Sequence, residues 1–596
     1  MTWLFEPGRP WRPVDAALAA AIRRRWPETP DDLLRLFAMV NVLTGQGHSA
    51  LDPASIESAA AMGLPDWPAE RWRALLAGCP AVGTSGDAGT PFVFDRGLLY
   101  LRRFYRDEVR LAEGLRALSR WSPVPAEPGL VAAALDHLFP DVRDAIDDRQ
   151  VRACLLSLSS RLTVVLGGPG TGKTTTVLRL LALHQSLSPA PLRIAVAAPT
   201  GKAAARVMEA MRVAADRTGL DTALRERLPS RAWTLHRLLG ASADGARFRH
   251  DRDHPLDVDL VVLDEASMVD LGLFARLLDA LPGHARLVVL GDPEQLEAIE
   301  SGPVLTELAR LDDPASQGQA AHRTEAVLGT TAAPDETAAV GACIVRLVRP
   351  WRFAADSGIG MFSAAVRAGD AGAVQSILRD GNPGLEGIEA TGGGASTAIQ
   401  SFVVERYRSA MAGGNPATML GAHRNYRVLA ATRLQAGHAN ASVATALGQR
   451  GREMSPESGL PFLVERNDAL RQLHNGDTGV FAAGRTGEGL WAWFDAESID
   501  DGEALRSMQP YELGRWQPAY AMTVHRAQGS EYQDVMVILP NRTTPVASRA
   551  WLYTAVTRAR RSLTVVGDPS QLAGILANVT ALTTRLSDRL VSVHER

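Results

Sequence analysis

Residues 167–174 read Gly167-Gly168-Pro169-Gly170-Thr171-Gly172-Lys173-Thr174 and match the spacing G-x-x-x-x-G-K-[ST] at every fixed position. The chemistry of a phosphate chain accounts for each residue type. Glycines let backbone N–H groups turn inward around phosphate oxygens. A helix N-terminus behind them adds partial positive charge. Lys173 reaches the β- and γ-phosphates, and the hydroxyl of Thr174, beside Thr175, holds Mg²⁺. The motif requires a buried strand before it and a helix after it. The apolar run 162–166 and the helix-forming run 175–181 supply both. ATP and Mg²⁺ are therefore the expected cofactors, with residues 167–175 as the nucleotide cradle.

Lysine is almost absent from the chain. Of 63 basic residues only Lys173 and Lys202 are lysines, and the others are arginines. A residue avoided elsewhere is informative where it stays. At position 173 a slim, flexible ammonium is wanted, and a guanidinium fork would not fit the same way. Lys202 carries no comparable requirement.

Further polar groups fall where apolar strands end. Asp264-Glu265 follows the run 260–263. Beside a phosphate loop, the aspartate can hold Mg²⁺ and the glutamate can orient and deprotonate an attacking water. Gly291-Asp292-Pro293-Glu294-Gln295-Leu296 ends the next strand, and Gln295 is placed to report a γ-phosphate. A helix cap would explain Asp292 but not Gln295. Two more such segments, 198–202 (APTGK) and 233–236 (WTLH), offer small polar groups and an aromatic. A path for a single nucleic-acid strand uses such groups on phosphates and bases.

The elements that must position these groups follow from the rest of the chain. Its 596 residues allow about three or four domains. Apolar content of 46% and charged content of 22% suit a globular protein. A net charge of −3 excludes nucleic-acid binding through bulk charge, though not a local basic groove. Three distant cysteines make neither a disulfide framework nor a zinc site and are expected to be small buried residues. No secretory leader and no run of about 18 apolar residues is seen, so a cytoplasmic location and no membrane partner are expected.

Residues 1–125 read as a mainly helical, Trp-rich domain, with a short hairpin and a helix in PFVFDRGLLYLRRFYRDEVRLAEGL. Most of its aromatics are expected in the core. Residues 125–129 (PAEPG) form a linker. From 126 to 342 strands and helices alternate, the pattern of a parallel sheet with helices on both faces. Ligands bind beyond the C-terminal strand ends of such sheets. The Ala-, Thr- and Gly-rich stretch 311–342 is expected to be a loop. A second alternating block occupies 343–596, and within it 445–518 reads as an inserted small β-barrel. No internal sequence repeat is visible, yet the two alternating blocks could be structural duplicates.

GGPGTGKTTT, APTGKAAARV, TLHRLLG, VVLDEASMVD, LGDPEQLEAIESGPVL, RPWRFAADSGIG, MTVHRAQGSEY and LYTAVTRAR occur in the order of the superfamily 1 helicase motifs. Their wording resembles the RecD family, the α subunits of RecBCD (exodeoxyribonuclease V) complexes. The resemblance is strong over about 140–596 and weaker over the N-terminal domain, through LYLRRFYRDE. RNDALRQLHNGDTGV is similar to a segment of that family's inserted barrel. The length is similar to that family's rather than to longer stand-alone RecD-like helicases.

The resemblance implies two RecA-like ATPase domains and a role for each matching residue. Gln150 matches the glutamine that reads adenine. Lys173, Thr174, Asp264, Glu265 and Gln295 match the phosphate ligand, the metal ligands, the base and the γ-phosphate sensor. Arg352 and Arg558 match the two arginines offered by the second RecA-like domain. Thr200, Lys202, His236, Thr523, His525, Arg526 and Gln528 match positions near the DNA strand or the interdomain cleft. Arg526 stands where the family often has lysine, in keeping with the chain-wide replacement. Arginine still contacts phosphate there.

The implied activity is an ATP-dependent 5′-to-3′ DNA helicase with RecB-like and RecC-like partners, acting in double-strand break repair and degradation of linear DNA. Alternatives are a stand-alone superfamily 1 helicase and a nucleotide-gated scaffold; a scaffold would need none of Glu265, Arg352 and Arg558. The chain is expected to hold no nuclease site of its own. The RecB-type site pairs an acidic metal site with a nearby lysine. Lys173 is committed to the phosphate loop, and Thr200, not an acid, stands two residues before Lys202.

Overall fold

The computed structural model describes residues 11–591 except for 55–62, 141–147, 299–300, 350–356, 391–392, 450–458, 496–504 and isolated loop positions. The chain opens with three helices, Pro13–Arg25, Asp31–Thr44 and Ala69–Ala77, over a small three-stranded sheet. The hairpin expected at 92–101 is present: Phe92–Asp95 pairs antiparallel with Leu98–Leu101. Its two turn residues, Arg96 (φ 48°) and Gly97 (φ 83°), are both left-handed. That geometry matches the natural strand twist of a two-residue turn. Leu34, Phe37, Trp72 and Phe92 form the core, with the rings of Phe37 and Phe92 stacked at 4.1 Å.

The helix Arg102–Ser119 leaves this unit and enters the next. Its Leu111, Leu115 and Leu118 pack in one core with Phe274 and Leu277 of the helix Leu271–Ala280. The first half of the helix stays with the N-terminal unit, where Tyr105 packs with Val93, Leu98 and Tyr100, so this one helix joins the two cores.

The first large sheet runs Ala232–Thr234, Ile194–Ala198, Leu260–Leu263, Arg286–Gly291, Leu162–Gly167, Ile344–Leu347, and every pairing is parallel. Its central strands are buried on both faces, which explains their continuous Val/Leu composition. Two expectations about its C-terminal side are corrected. Residues 314–327 are a helix, Pro314–Val327, and not a loop: Asp313 caps it and Pro314 stands at its first turn, where a missing N–H costs nothing. Residues 344–347 add the edge strand of the first sheet through pairing with Val164–Gly167.

The second large sheet, Leu385–Glu389, Ala559–Gly567, Tyr532–Ile538, Tyr426–Ala430, Ala521–Thr523, is also parallel throughout. Between its strands at 426–430 and 521–523 the chain makes an antiparallel five-stranded sheet. Its order is Leu505–Met508, Leu490–Asp495, Thr478–Ala483, Pro461–Val464, Trp516–Pro518. Phe462, Phe481 and Phe494 fill one face of it.

The C-terminal segment does not stay with the second sheet. Ser49 and Ala50 donate backbone hydrogen bonds to the Thr583 carbonyl. Leu586 and Leu590 of the helix Leu586–Val591 join the core of the first sheet. Cys79, Cys154 and Cys343 are free and buried. Among the described residues no helix is long and apolar enough to cross a membrane.

Candidate active site and strand track

The phosphate loop joins the buried strand Leu162–Gly167 to the helix Lys173–Leu187. Gly170 (φ 75°) and Gly172 (φ 90°) take left-handed conformations that residues with a Cβ adopt only under strain. A Cβ on Gly167 would lie 2.5 Å from Thr171 Oγ1. Thr171 Oγ1 donates to the Gly168 carbonyl at 2.8 Å and fixes the loop. Lys173 Nζ donates to the carbonyls of Gly167 (2.6 Å) and Gly168 (3.1 Å), so the ammonium lies across the loop mouth. Thr174 and Thr175 begin the helix, half-buried.

Asp264 and Glu265 leave the adjacent strand Leu260–Leu263. The Asp264 backbone N–H donates to the Ala197 carbonyl at 2.9 Å, and the Glu265 N–H donates to Asp264 Oδ1 at 2.8 Å. Glu265 sits at φ 52°, a rare conformation for a non-glycine residue, which turns its side chain out of the strand direction. Desolvation pushes the Asp264 carboxyl up to about 6; the Glu265 charge adds to this, and Lys173 opposes it. A Thr174 hydroxyl and an enclosed carboxylate whose charge is costly on its own are hard oxygen donors suited to Mg²⁺.

The segment 291–296 is stitched to the second sheet's domain. Tyr553 Oη donates to Asp292 Oδ2 at 3.1 Å, and Gln295 Nε2 donates to the same oxygen at 3.2 Å. Arg558 Nη2 donates to Gln295 Oε1 at 2.9 Å. The Leu296 N–H donates to Thr554 Oγ1 at 2.8 Å, and Gln528 Nε2 donates to the Leu296 carbonyl at 2.8 Å. Burial raises the Asp292 carboxyl, against the nearby charge of Lys173. Tyr553 reaches the phosphate loop itself: a Cβ on Gly168 would stand 3.0 Å from its hydroxyl. Gln528 thus faces the seam between the domains. Arg352 lies outside the described residues.

At the outer edge of the cleft, Asp148 Oδ1 accepts from the N–H groups of Gln150 (2.7 Å) and Val151 (3.1 Å), which starts the helix Arg149–Ser159. Arg179 donates to Gln150 Oε1 at 3.1 Å and lies over the Phe139 ring at 4.4 Å. The Arg179 guanidinium thus joins the Gln150 amide to the Phe139 ring.

The other polar residues form a repeated pattern. In the first sheet Ala198 pairs with Thr234; Thr200 caps the helix Gly201–Thr218 and His236 is exposed. In the second sheet Ala430 pairs with Thr523; Thr432 caps the helix Arg433–Ala446 and His525 is partly exposed. The intervals are identical: two residues from alanine to the capping threonine, two from the paired threonine to the histidine, with Leu235 or Val524 buried between. Arg433, Gln517, Thr523 and Arg526 line a groove of about 200 Å³. Arg526 faces Glu465 at 3.9 Å, and Gln517 bonds to both. Lys202 reaches toward the second domain, where its charge, after burial and Arg427, holds His423 in the neutral form. Thr432, Arg433 and Tyr553 are not visible as site residues from sequence, and Thr234 is visible only as part of the segment 233–236. The Thr-x-His spacing shared by 234–236 and 523–525 was the available signal for Thr234.

Comparison with known proteins agrees along the whole chain. Residues 9–100 match the family described as RecBCD enzyme subunit RecD, N-terminal domain. Residues 150–301 match an AAA domain and 518–566 a UvrD-like helicase C-terminal domain. The RecBCD enzyme subunit RecD of Mycolicibacterium smegmatis is 35% identical over 585 residues, 94% of each chain. The chain belongs to the RecD family. The RecD of Haemophilus influenzae is 31% identical across 84% of this chain and 81% of its own. The ATP-dependent RecD2 DNA helicase of Deinococcus radiodurans is 29% identical across 80% of this chain but only 56% of its own. In this RecD-family chain the N-terminal match ends at residue 100, just before the helix Arg102–Ser119 that joins the first two cores.

Proposed function

We propose that this RecD-family chain is an ATP-dependent 5′-to-3′ DNA helicase and translocase subunit of a RecBCD-like helicase–nuclease, acting in the cytoplasm in double-strand break repair and degradation of linear DNA. The observation that carries the motor reading is the contact that joins a second-domain arginine, Arg558, to Gln295 of the first domain, the residue we assign to the γ-phosphate. A nucleotide-gated scaffold needs no such group.

The roles follow from position. Gln150 reads the base. The loop 167–172 and the N-terminus of the following helix hold phosphates through backbone N–H groups. Lys173 moves from the loop carbonyls onto phosphate oxygens, a stronger charge-assisted contact. Thr174 and Asp264 would hold Mg²⁺, which when bound neutralises phosphate charge. Glu265 orients the attacking water and takes its proton. Arg558 and Arg352 stabilise charge on the transferred phosphoryl group, and Gln295 links that event to Arg558. Thr200, Lys202, Thr234 and His236 on one domain, with Thr432, Thr523, His525 and Arg526 on the other, form two equivalent stations for a single DNA strand. Gln528 joins the stations to the cleft.

RecB-like and RecC-like subunits are the proposed partners. Residues 1–125 are the docking domain, and the insertion 445–518, which holds the antiparallel sheet at 461–518, is the small β-barrel. The deciding test is displacement of streptavidin from single-stranded DNA biotinylated at either end, using the chain co-purified with its partners. ATP-dependent clearance of the 3′ end supports the proposal. Clearance of the 5′ end refutes the polarity, and no clearance refutes the motor.

A further inference from the structure

One ion pair, with an enclosed carboxylate and a half-buried guanidinium, crosses between the two motor domains and has no part in the roles above. Arg206 lies on the helix Gly201–Thr218, which starts at the capped Thr200 of the first strand station. Its Nη2 meets Glu531 Oε1, and Glu531 Oε2 accepts from Arg560 Nε at 2.8 Å. The Glu531 side chain is only 4% exposed. It follows Gln528 by three residues, and Arg560 follows Arg558 by two. Helix and segment lie close here: a Cβ on Gly529, at φ 70°, would stand 3.1 Å from Ala203 Cβ. Burial pushes the Arg206 guanidinium down to about 10; Glu265 and Asp264 pull it back, and Arg558 and Arg560 repel it. The arginine therefore stands in the field of both halves of the hydrolytic site while it sits on the helix that starts at the strand station.

We propose that Arg206 is a positioning residue that transmits DNA engagement at 200–202 to the nucleotide cleft, through its ion pair with Glu531 across the two domains. This rests on the motor reading given above. The physical reason is geometric. The 200–202 loop and Arg206 share the first turns of one rigid helix, so a displacement of the loop by a bound strand moves the guanidinium with it. Glu531 follows, because a charge-assisted pair shielded from water is costly to separate. The segment carrying Gln528 and Glu531 then carries the motion to Arg558 and Gln295. A pair that served only as glue would affect every state of the motor alike.

The test measures ATP hydrolysis by the full chain with and without single-stranded DNA, together with the thermal midpoint. In Arg206→Gln, Glu531 keeps Arg560 as a partner, so no buried carboxylate is orphaned. The expected result is a loss of DNA stimulation of about fivefold or more, the lower range of coupling between sites, while KM for ATP moves less than about twofold. Arg206→Lys keeps the charge and should retain most of the stimulation. Unchanged stimulation in Arg206→Gln overturns the proposal. So does an equal fall of both rates with a lowered midpoint, and so does an Arg206→Lys variant as impaired as the glutamine. A wild-type chain whose hydrolysis ignores DNA overturns the motor reading itself and this proposal with it.

Discussion

Arg558 donates its Nη2 to Gln295 Oε1 at 2.9 Å, and both side chains are almost wholly buried. The remaining guanidinium donors go to the carbonyls of Thr554 (3.2 Å) and Ser530 (3.1 Å). Each of the three guanidinium nitrogens thus has a partner that fixes its plane, and one can be exchanged for a phosphoryl oxygen. Lysine has the charge but not the fork. Arg558→Lys is expected to lose about 10³-fold in kcat, the scale of a lost arginine contact in phosphoryl transfer, with KM for ATP nearly unchanged. Steady-state hydrolysis checks this, and a loss confined to KM would place Arg558 in binding alone.

Lys173 and Glu265 should separate binding from turnover. Lys173→Gln removes the ammonium from the loop mouth, and hydrolysis should vanish in a chain that unfolds at its normal temperature. Glu265→Gln keeps the Asp264 carboxylate and should bind ATP normally while turnover stalls. Fluorescent-nucleotide binding beside a hydrolysis assay distinguishes the two. Loss of nucleotide binding in Glu265→Gln would mark the glutamate as structural.

Asp264 predicts a trade between stability and function. Its carboxyl is raised to about 6 in the folded chain, so between about pH 4 and 6 the native state binds the extra proton. The ionised form burdens the nucleotide-free fold above about pH 6, and acidification through that value relieves it. Asp264→Asn should therefore raise the thermal midpoint at pH 8 by a few degrees, since 1 kcal/mol moves a domain of this size by about 2–4 °C. The gain should fade below pH 5, while Mg²⁺-dependent hydrolysis is lost at every pH. A variant less stable than wild type at pH 8 would contradict the assignment.

Glu108 gathers the ends of the chain. It is fully buried and accepts from Ser49 Oγ (3.0 Å), Tyr100 Oη (3.1 Å), Thr584 Oγ1 (2.7 Å) and Arg589 Nε (2.8 Å). Arg589 also donates to Asp95 Oδ2 at 2.6 Å. Arg589→Ala leaves a buried carboxylate without its cation and should cost about 3–5 kcal/mol. Limited proteolysis should then release the N-terminal unit first. Urea unfolding with an unchanged midpoint would show that the tail does not hold this unit.

The phosphate loop, the Asp264-Glu265 pair and the alternating strands were legible because each is local. Glycine spacing, a buried strand and a following helix are fixed within some twenty residues, and period and composition report them. Gln295 was legible as a polar residue at a strand end that a helix cap does not explain, and family resemblance added Arg558. The Ala/Thr/Gly-rich stretch at 314–327 misled because its helix depends on one cap and on tertiary burial of Ala320 and Thr324, not on a strong apolar period. The return of 583–591 to the first sheet's core was equally hidden, since a short apolar helix does not say which core it joins.

What the sequence determined by itself is a helicase of the RecD family and the polar groups at its strand ends, the phosphate-loop motif and the Asp264-Glu265 pair among them. What only the tertiary structure decided is which of those groups face one another. Gln528 bonds to Leu296 across the seam, Tyr553 reaches the phosphate loop, and Thr432 caps its helix in the second domain as Thr200 does in the first. These relationships join residues hundreds of positions apart, and they depend on the packing angle between two sheets, which no local spacing encodes.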